Sequence, residues 1–69
     1  MLTAKQCDVI SGLAFNRMNI SAVAKMMHFH RNNICYHIAQ IKKKTGLDPL
    51  DFFDLHELYR IAGGEEDGS

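Results

Sequence analysis

The stretch from Arg31 to Thr45 leaves this chain few folds to choose from. Ile34, Ile38, Ile41 and Thr45 recur at three- and four-residue spacing, which lines them along one side of an α-helix. At about 100° per residue, Asn32, Asn33, Tyr36, Gln40 and Lys43 gather on the opposite side. Gly46 can take the left-handed position that ends such a helix, and Lys42, Lys43 and Lys44 suit the negative end of its dipole. A helix with one apolar stripe and one flat polar face must lie against other elements and show the rest of itself to solvent.

Those other elements have to be small. The chain has 69 residues, enough for one domain, and a domain of that size buries only about 60% of its unfolded surface. With 46% hydrophobic and 23% charged residues, the composition is that of a soluble globular protein. No apolar run is long enough to span a bilayer, and the first residues lack the apolar core of a secretory signal. A cytoplasmic location without membrane contact is expected. Cys7 and Cys35 form no C-x-x-C pair and no disulfide framework, and are expected to be free, buried thiols.

Three further helices can be read. Thr3-Ala4-Lys5-Gln6 fits a capping box, and Cys7, Ile10, Leu13 and Ala14 then recur as the buried stripe of a helix ending near Phe15-Asn16. Asn19 caps a second helix over about residues 20 to 27, with Val23, Ala24 and Met27 inward. Met27-His28-Phe29-His30 makes a short turn with Phe29 pointing back to the core, although no glycine marks it. Asp48-Pro49 reads as an aspartate cap followed by proline at the first position of a fourth helix, which runs to about Ala62. That helix has two apolar stripes. Phe52, Leu55, Tyr59 and Ala62 form one, and Leu50, Phe53, Leu58 and Ile61 form the other. One stripe can close the core and the second is surplus, and periodicity leaves open which of them faces a partner. The predicted fold is all-α, a small four-helix domain over residues 1–63, with an acidic, disordered tail over 64–69.

Net charge is formally zero, yet it is unevenly placed. Residues 1–46 hold seven basic side chains against Asp8 alone, a net of +6; residues 47–69 hold Arg60 against seven acids, a net of −6. Two short helices joined by a tight turn, the second with a polar face and basic surroundings, make a helix-turn-helix that sets its second helix in the major groove of double-stranded DNA. Asparagine and glutamine bind adenine edges, and arginine binds guanine. Arg31, Asn32, Asn33 and Gln40 are therefore the expected base contacts. Lys25, Tyr36, Lys42, Lys43 and Lys44 are the expected phosphate contacts.

The residues from Ala22 to Ile41, followed by Thr45-Gly46-Leu47-Asp48, resemble the C-terminal helix-turn-helix of PucR-type bacterial transcriptional regulators. The likeness covers roughly residues 19 to 62 and rests on Phe29-His30-Arg31-Asn32, Tyr36, Ile41 and Thr45 to Asp48. Asn33 stands where that family usually has threonine, and His37 where it usually has arginine. A weaker likeness to Fis-like helix-turn-helix domains points the same way. What the resemblance implies is sequence-specific DNA binding in transcriptional regulation. The large sensory domain of such regulators has no counterpart here, so no effector or small-molecule ligand follows.

Other chemistries are poorly served. His28, His30, Cys35 and His37 are possible zinc ligands by type, but their spacing matches no closed site, and His30 is better used as a helix cap. No cofactor is expected. His56 between Asp54 and Glu57 sits on an acidic helix with no cleft, so no enzyme is expected either. Taken as the surplus, the stripe Leu50, Phe53, Leu58 and Ile61 fits a homodimer interface, because helix-turn-helix proteins read paired half-sites. The competing reading is a protein-interaction module that keeps this fold without tight DNA binding.

Overall fold

A computed structural model describes residues 2–63; the expected acidic tail lies outside them. The described chain forms four helices, α1 (Ala4–Phe15), α2 (Ile20–Met27), α3 (Arg31–Thr45) and α4 (Phe52–Ile61), and no strand. This is the all-α, four-helix architecture that the periodicity predicts.

Helix α1 begins with the capping box. Thr3 Oγ1 accepts from the Gln6 amide at 3.1 Å, and Gln6 Oε1 accepts from the Thr3 amide at 3.0 Å. α1 is the hub of the fold, packing against each of the other three helices. That role widens its buried arc. Val9 and Gly12 are buried along with Ile10 and Leu13, while Cys7 and Ala14, expected on the inner stripe, are only half-buried. Gly12 permits the close approach of α2, since a Cβ there would stand 3.0 Å from both Met26 Cε and Val23 Cγ1.

Between α1 and α2 the chain reverses through Arg17 (φ 55°) and Met18 (φ 61°), two consecutive non-glycine residues in the left-handed region. Each costs about 1–2 kcal/mol. Two hydrogen bonds offset part of it. The Met18 amide donates to the Leu13 carbonyl at 2.7 Å, wrapping the helix end, and Asn16 Nδ2 donates to the Gly12 carbonyl at 2.8 Å. Met18 also packs against the core.

The core joins Val9, Ile10 and Leu13 of α1 to Val23 and Ala24 of α2, Ile34, Ile38 and Ile41 of α3, and Leu55 and Leu58 of α4. α4 departs from expectation in two ways. Asp48-Pro49 does not start the helix. Asp48 Oδ1 accepts from the Leu50 amide at 2.9 Å, and the Asp48 carbonyl accepts from the Asp51 amide at 2.9 Å, so these residues make a separate turn with Pro49 buried in it. Asp51 is the cap, its carboxylate accepting from the Asp54 amide at 3.0 Å. The second departure concerns the stripes. α4 packs on α1 alone among the helices, so its inner side is narrow and holds Leu55 and Leu58. Leu58 is 0% exposed and belongs to the core, which removes it from the expected dimer surface. Phe52, from the other stripe, lies on the surface.

Candidate nucleic-acid interface

The candidate interface is built on α2, a three-residue turn and α3. Asn19 Oδ1 accepts from the Ala22 amide at 3.0 Å to start α2. α2 ends at His28, which takes the left-handed conformation (φ 58°) that glycine would otherwise supply; histidine is among the side chains that tolerate it best. The Phe29 amide then donates to the Ala24 carbonyl at 2.8 Å, drawing the turn back onto α2. His30 caps α3 through Nδ1, which accepts from the Asn32 amide at 3.1 Å. Both ends of the turn are thus fixed by side-chain or backbone hydrogen bonds, and buried Val23, Ala24, Ile34 and Ile38 fill the space beneath it. The angle between the helices is set by packing.

On the far side of α3, Asn32, Asn33, Tyr36 and Lys43 are exposed, and Gln40 is half-buried at the edge. Asn32, Tyr36 and Lys43 fall within about 40° of one another on the helical wheel, opposite Ile34 and Ile41. Cys35 and Ala39 are exposed on the flank beside them. Cys35 was expected to be buried; its place one residue past Ile34, about 100° around the helix, takes it out of the core. Cys7 is half-buried, and both thiols are free.

The basic side chains divide by where they are held. Arg31 Nη1 donates to Ser21 Oγ at 3.2 Å, so the guanidinium lies across the start of α2 and does not project straight outward from α3. Lys25 is exposed in the last turn of α2, and Lys43 pairs with no acid among the described residues. Lys42 stands 3.9 Å from Asp48 in a solvent-exposed ion pair of small energy. Lys44 Nζ donates to Gln6 Oε1 at 3.0 Å, tying the end of α3 to the start of α1. The lysine run gave no sign of this tie, because Gln6 is far away in sequence. His37 leans off the outer face. Its ring stacks on Phe29 (centroids 6.0 Å apart, 25° between planes) and meets the edge of Tyr36 at 5.5 Å, while Nδ1 is buried and makes no hydrogen bond among the described residues. Lys5 Nζ covers the Phe29 ring at 4.7 Å, extending this stack to α1. Of the expected dimer residues other than Leu58, all three (Leu50, Phe53 and Ile61) are exposed.

Among the described residues no three His, Cys, Asp or Glu side chains come together to hold a metal ion, and no helix is long and apolar enough to cross a membrane.

A short first helix, a tight turn and a second helix with an open polar face define a helix-turn-helix domain. The family model of the PucR C-terminal helix-turn-helix domain matches residues 12–60, from the last turn of α1 to near the end of α4, and the chain belongs to that family. No curated protein and no solved structure matches the chain.

Proposed function

We propose that this domain binds double-stranded DNA in a sequence-specific way, with α3 in the major groove, as the reading part of a bacterial transcriptional regulator acting in the cytoplasm. The observation that carries the proposal is the outer face of α3, where Asn32, Asn33 and Tyr36 stand exposed on a helix start held by the His30 cap. Membership of a helix-turn-helix family supports the same reading.

Asn32, Asn33 and Gln40 contact base edges in this reading, and Lys25, Tyr36, Lys42 and Lys43 contact phosphates. Arg31, drawn to Ser21 at the start of α2, serves a phosphate better than a base, because it sits beside the positive end of a helix dipole. Lys44 has a structural role. Two copies acting on paired half-sites would raise affinity without new base contacts.

Selection from randomised duplexes, followed by anisotropy titration of the preferred site, tests the assignment. Asn32→Ala should cost about 1–3 kcal/mol of discrimination at one base position and leave the others unchanged. Loss of affinity on every sequence alike would place Asn32 on the backbone. Absence of any binding by the folded protein at low salt would overturn DNA recognition and favour a protein-interaction role.

A further inference from the structure

The surface where α4 meets the end of α1 carries a hole and a knob side by side. Ala14 of α1 and Phe52, Leu55, His56 and Tyr59 of α4 line an open hollow of about 140 Å³, nearly all of it apolar. Phe53 stands next to the hollow without lining it, its ring 5.3 Å from that of Phe52. On the other rim Phe15 meets Tyr59 edge to face at 6.0 Å. From these features we infer that the patch pairs with a second copy of this chain, the Phe53 ring of each copy entering the hollow of the other.

Two observations favour a second copy over another occupant, and a third is compatible with it. The first is fit. A dry cavity of about 150 Å³ holds one benzene ring, so a hollow of this size suits a phenyl group. The second is self-complementarity. A two-fold interface uses one surface twice and must hold both knob and hole, as this one does. The third is area. Phe15, Phe52 and Phe53 are 74%, 66% and 78% exposed. At about 200 Å² for each phenylalanine they leave roughly 400 Å² of ring surface, half of the ~800 Å² per partner in a typical stable interface. That is also as large as the biggest apolar patch on most monomers.

Charge does not oppose the pairing. Phe52, His56 and Tyr59 follow each other at i, i+4 and i+7, so the flank lining the hollow carries no carboxylate, and the charged neighbours of Phe53 at i+4 and i+7, Glu57 and Arg60, pair with each other. Glu57 is held by Arg60 at 2.6 Å, and Asp54 accepts from the Asp48 amide at 3.0 Å. The seam differs from the stripe that periodicity suggests: it uses Phe53 with Phe52, Phe15 and Tyr59, and leaves Leu50 and Ile61 outside. Because α4 packs on α1 and not on α3, the outer face of α3 stays open in both copies.

Sedimentation equilibrium of the whole chain without DNA tests the inference independently of the reading of α3. The wild type should be dimeric. Phe53→Ala should weaken the dimer by about thirtyfold for each of the two rings removed, on the order of a thousandfold in all. Its ring is outside the core, so circular dichroism should show an unchanged helix content. Ala14→Leu, which fills the hollow and suits a helix, should dissociate the dimer as well, whereas Ile61→Ser should not. A chain that stays monomeric up to high micromolar concentration overturns the proposal and leaves the patch to a different polypeptide. A dimer that survives Phe53→Ala or Ala14→Leu, or one that Ile61→Ser breaks, overturns it too.

Discussion

Lys43 and Lys44 are neighbours in sequence with the same charge, yet the structure holds them differently, and a salt titration separates the roles proposed for them. Lys43 is on the open side of α3, whereas the ammonium of Lys44 is 3.0 Å from Gln6 Oε1 on α1. Each phosphate neutralised by a protein cation adds about 0.9 to the slope of log affinity against log salt. Removing the Lys43 contact should therefore flatten the slope by about 0.9. Between about 50 and 200 mM salt, that change shrinks the ratio of mutant to wild-type Kd about 3.5-fold. Lys44→Ala should leave the slope unchanged. Its cost should appear in stability, at about 1 kcal/mol, because one inter-helix hydrogen bond is lost while Gln6 keeps its bond from the Thr3 amide. The assay is fluorescence anisotropy of each purified variant on one mixed duplex across the salt series, with urea unfolding followed by circular dichroism. Equal flattening by both variants would refute the reasoning, since it would mean that Lys44 leaves Gln6 to reach a phosphate.

Two further outcomes follow from the packing. Leu58→Ala should destabilise the fold by about 2–5 kcal/mol, because Leu58 is fully buried. Ile61→Ala, on the same helix but 55% exposed, should cost under about 1 kcal/mol; equal midpoints in urea would mean that the buried side of α4 is misassigned. Arg17→Gly should stabilise the protein by roughly 0.5–1 kcal/mol, since relief of about 1–2 kcal/mol of left-handed strain exceeds the ~0.5–1 kcal/mol of extra chain entropy that glycine must lose on folding. For a domain of this size the melting temperature should rise by several degrees, and a fall would show that the Arg17 side chain supports the turn by other means.

The caps were the most legible part of the fold. Thr3, Asn19, His30 and Gly46 all stand where the sequence puts them, because each cap is a local bargain between one side chain, or one permissive backbone, and the nearest amides. The stripe of α3 was legible for the same reason, being fixed by spacing alone. The start of α4 was not. Asp48 and Asp51 are both good caps, and local chemistry cannot choose between them. Burial does: with Asp51 as the cap, Pro49 goes into the interior and Asp54 turns back to the Asp48 amide. The stripes of α4 fail similarly, since which of them faces inward depends on α4 having only α1 to pack against. At the candidate interface, the outer residues of α3 could be named from periodicity. The tethers Arg31–Ser21 and Lys44–Gln6 could not, because they join residues from different helices.

A chain of zero net charge looks ill suited to a polyanion, and the placement and pairing of its acids reduce the difficulty. α4 packs on α1, and α3 packs on α1 and α2, with no direct helix-to-helix packing between α3 and α4. At physiological salt the screening length is about 8 Å, so an exposed carboxylate acts on a phosphate at α3 only when it lies close to that helix. Glu57 is neutralised by Arg60. Asp48 does lie close, at the end of α3 and 3.9 Å from Lys42. Lys42 therefore has its positive charge partly offset, whereas Lys43 pairs with no acid among the described residues. A basic face on α3 can thus coexist with overall neutrality where nearby acids are already engaged, as Asp48 is with Lys42 and Glu57 with Arg60.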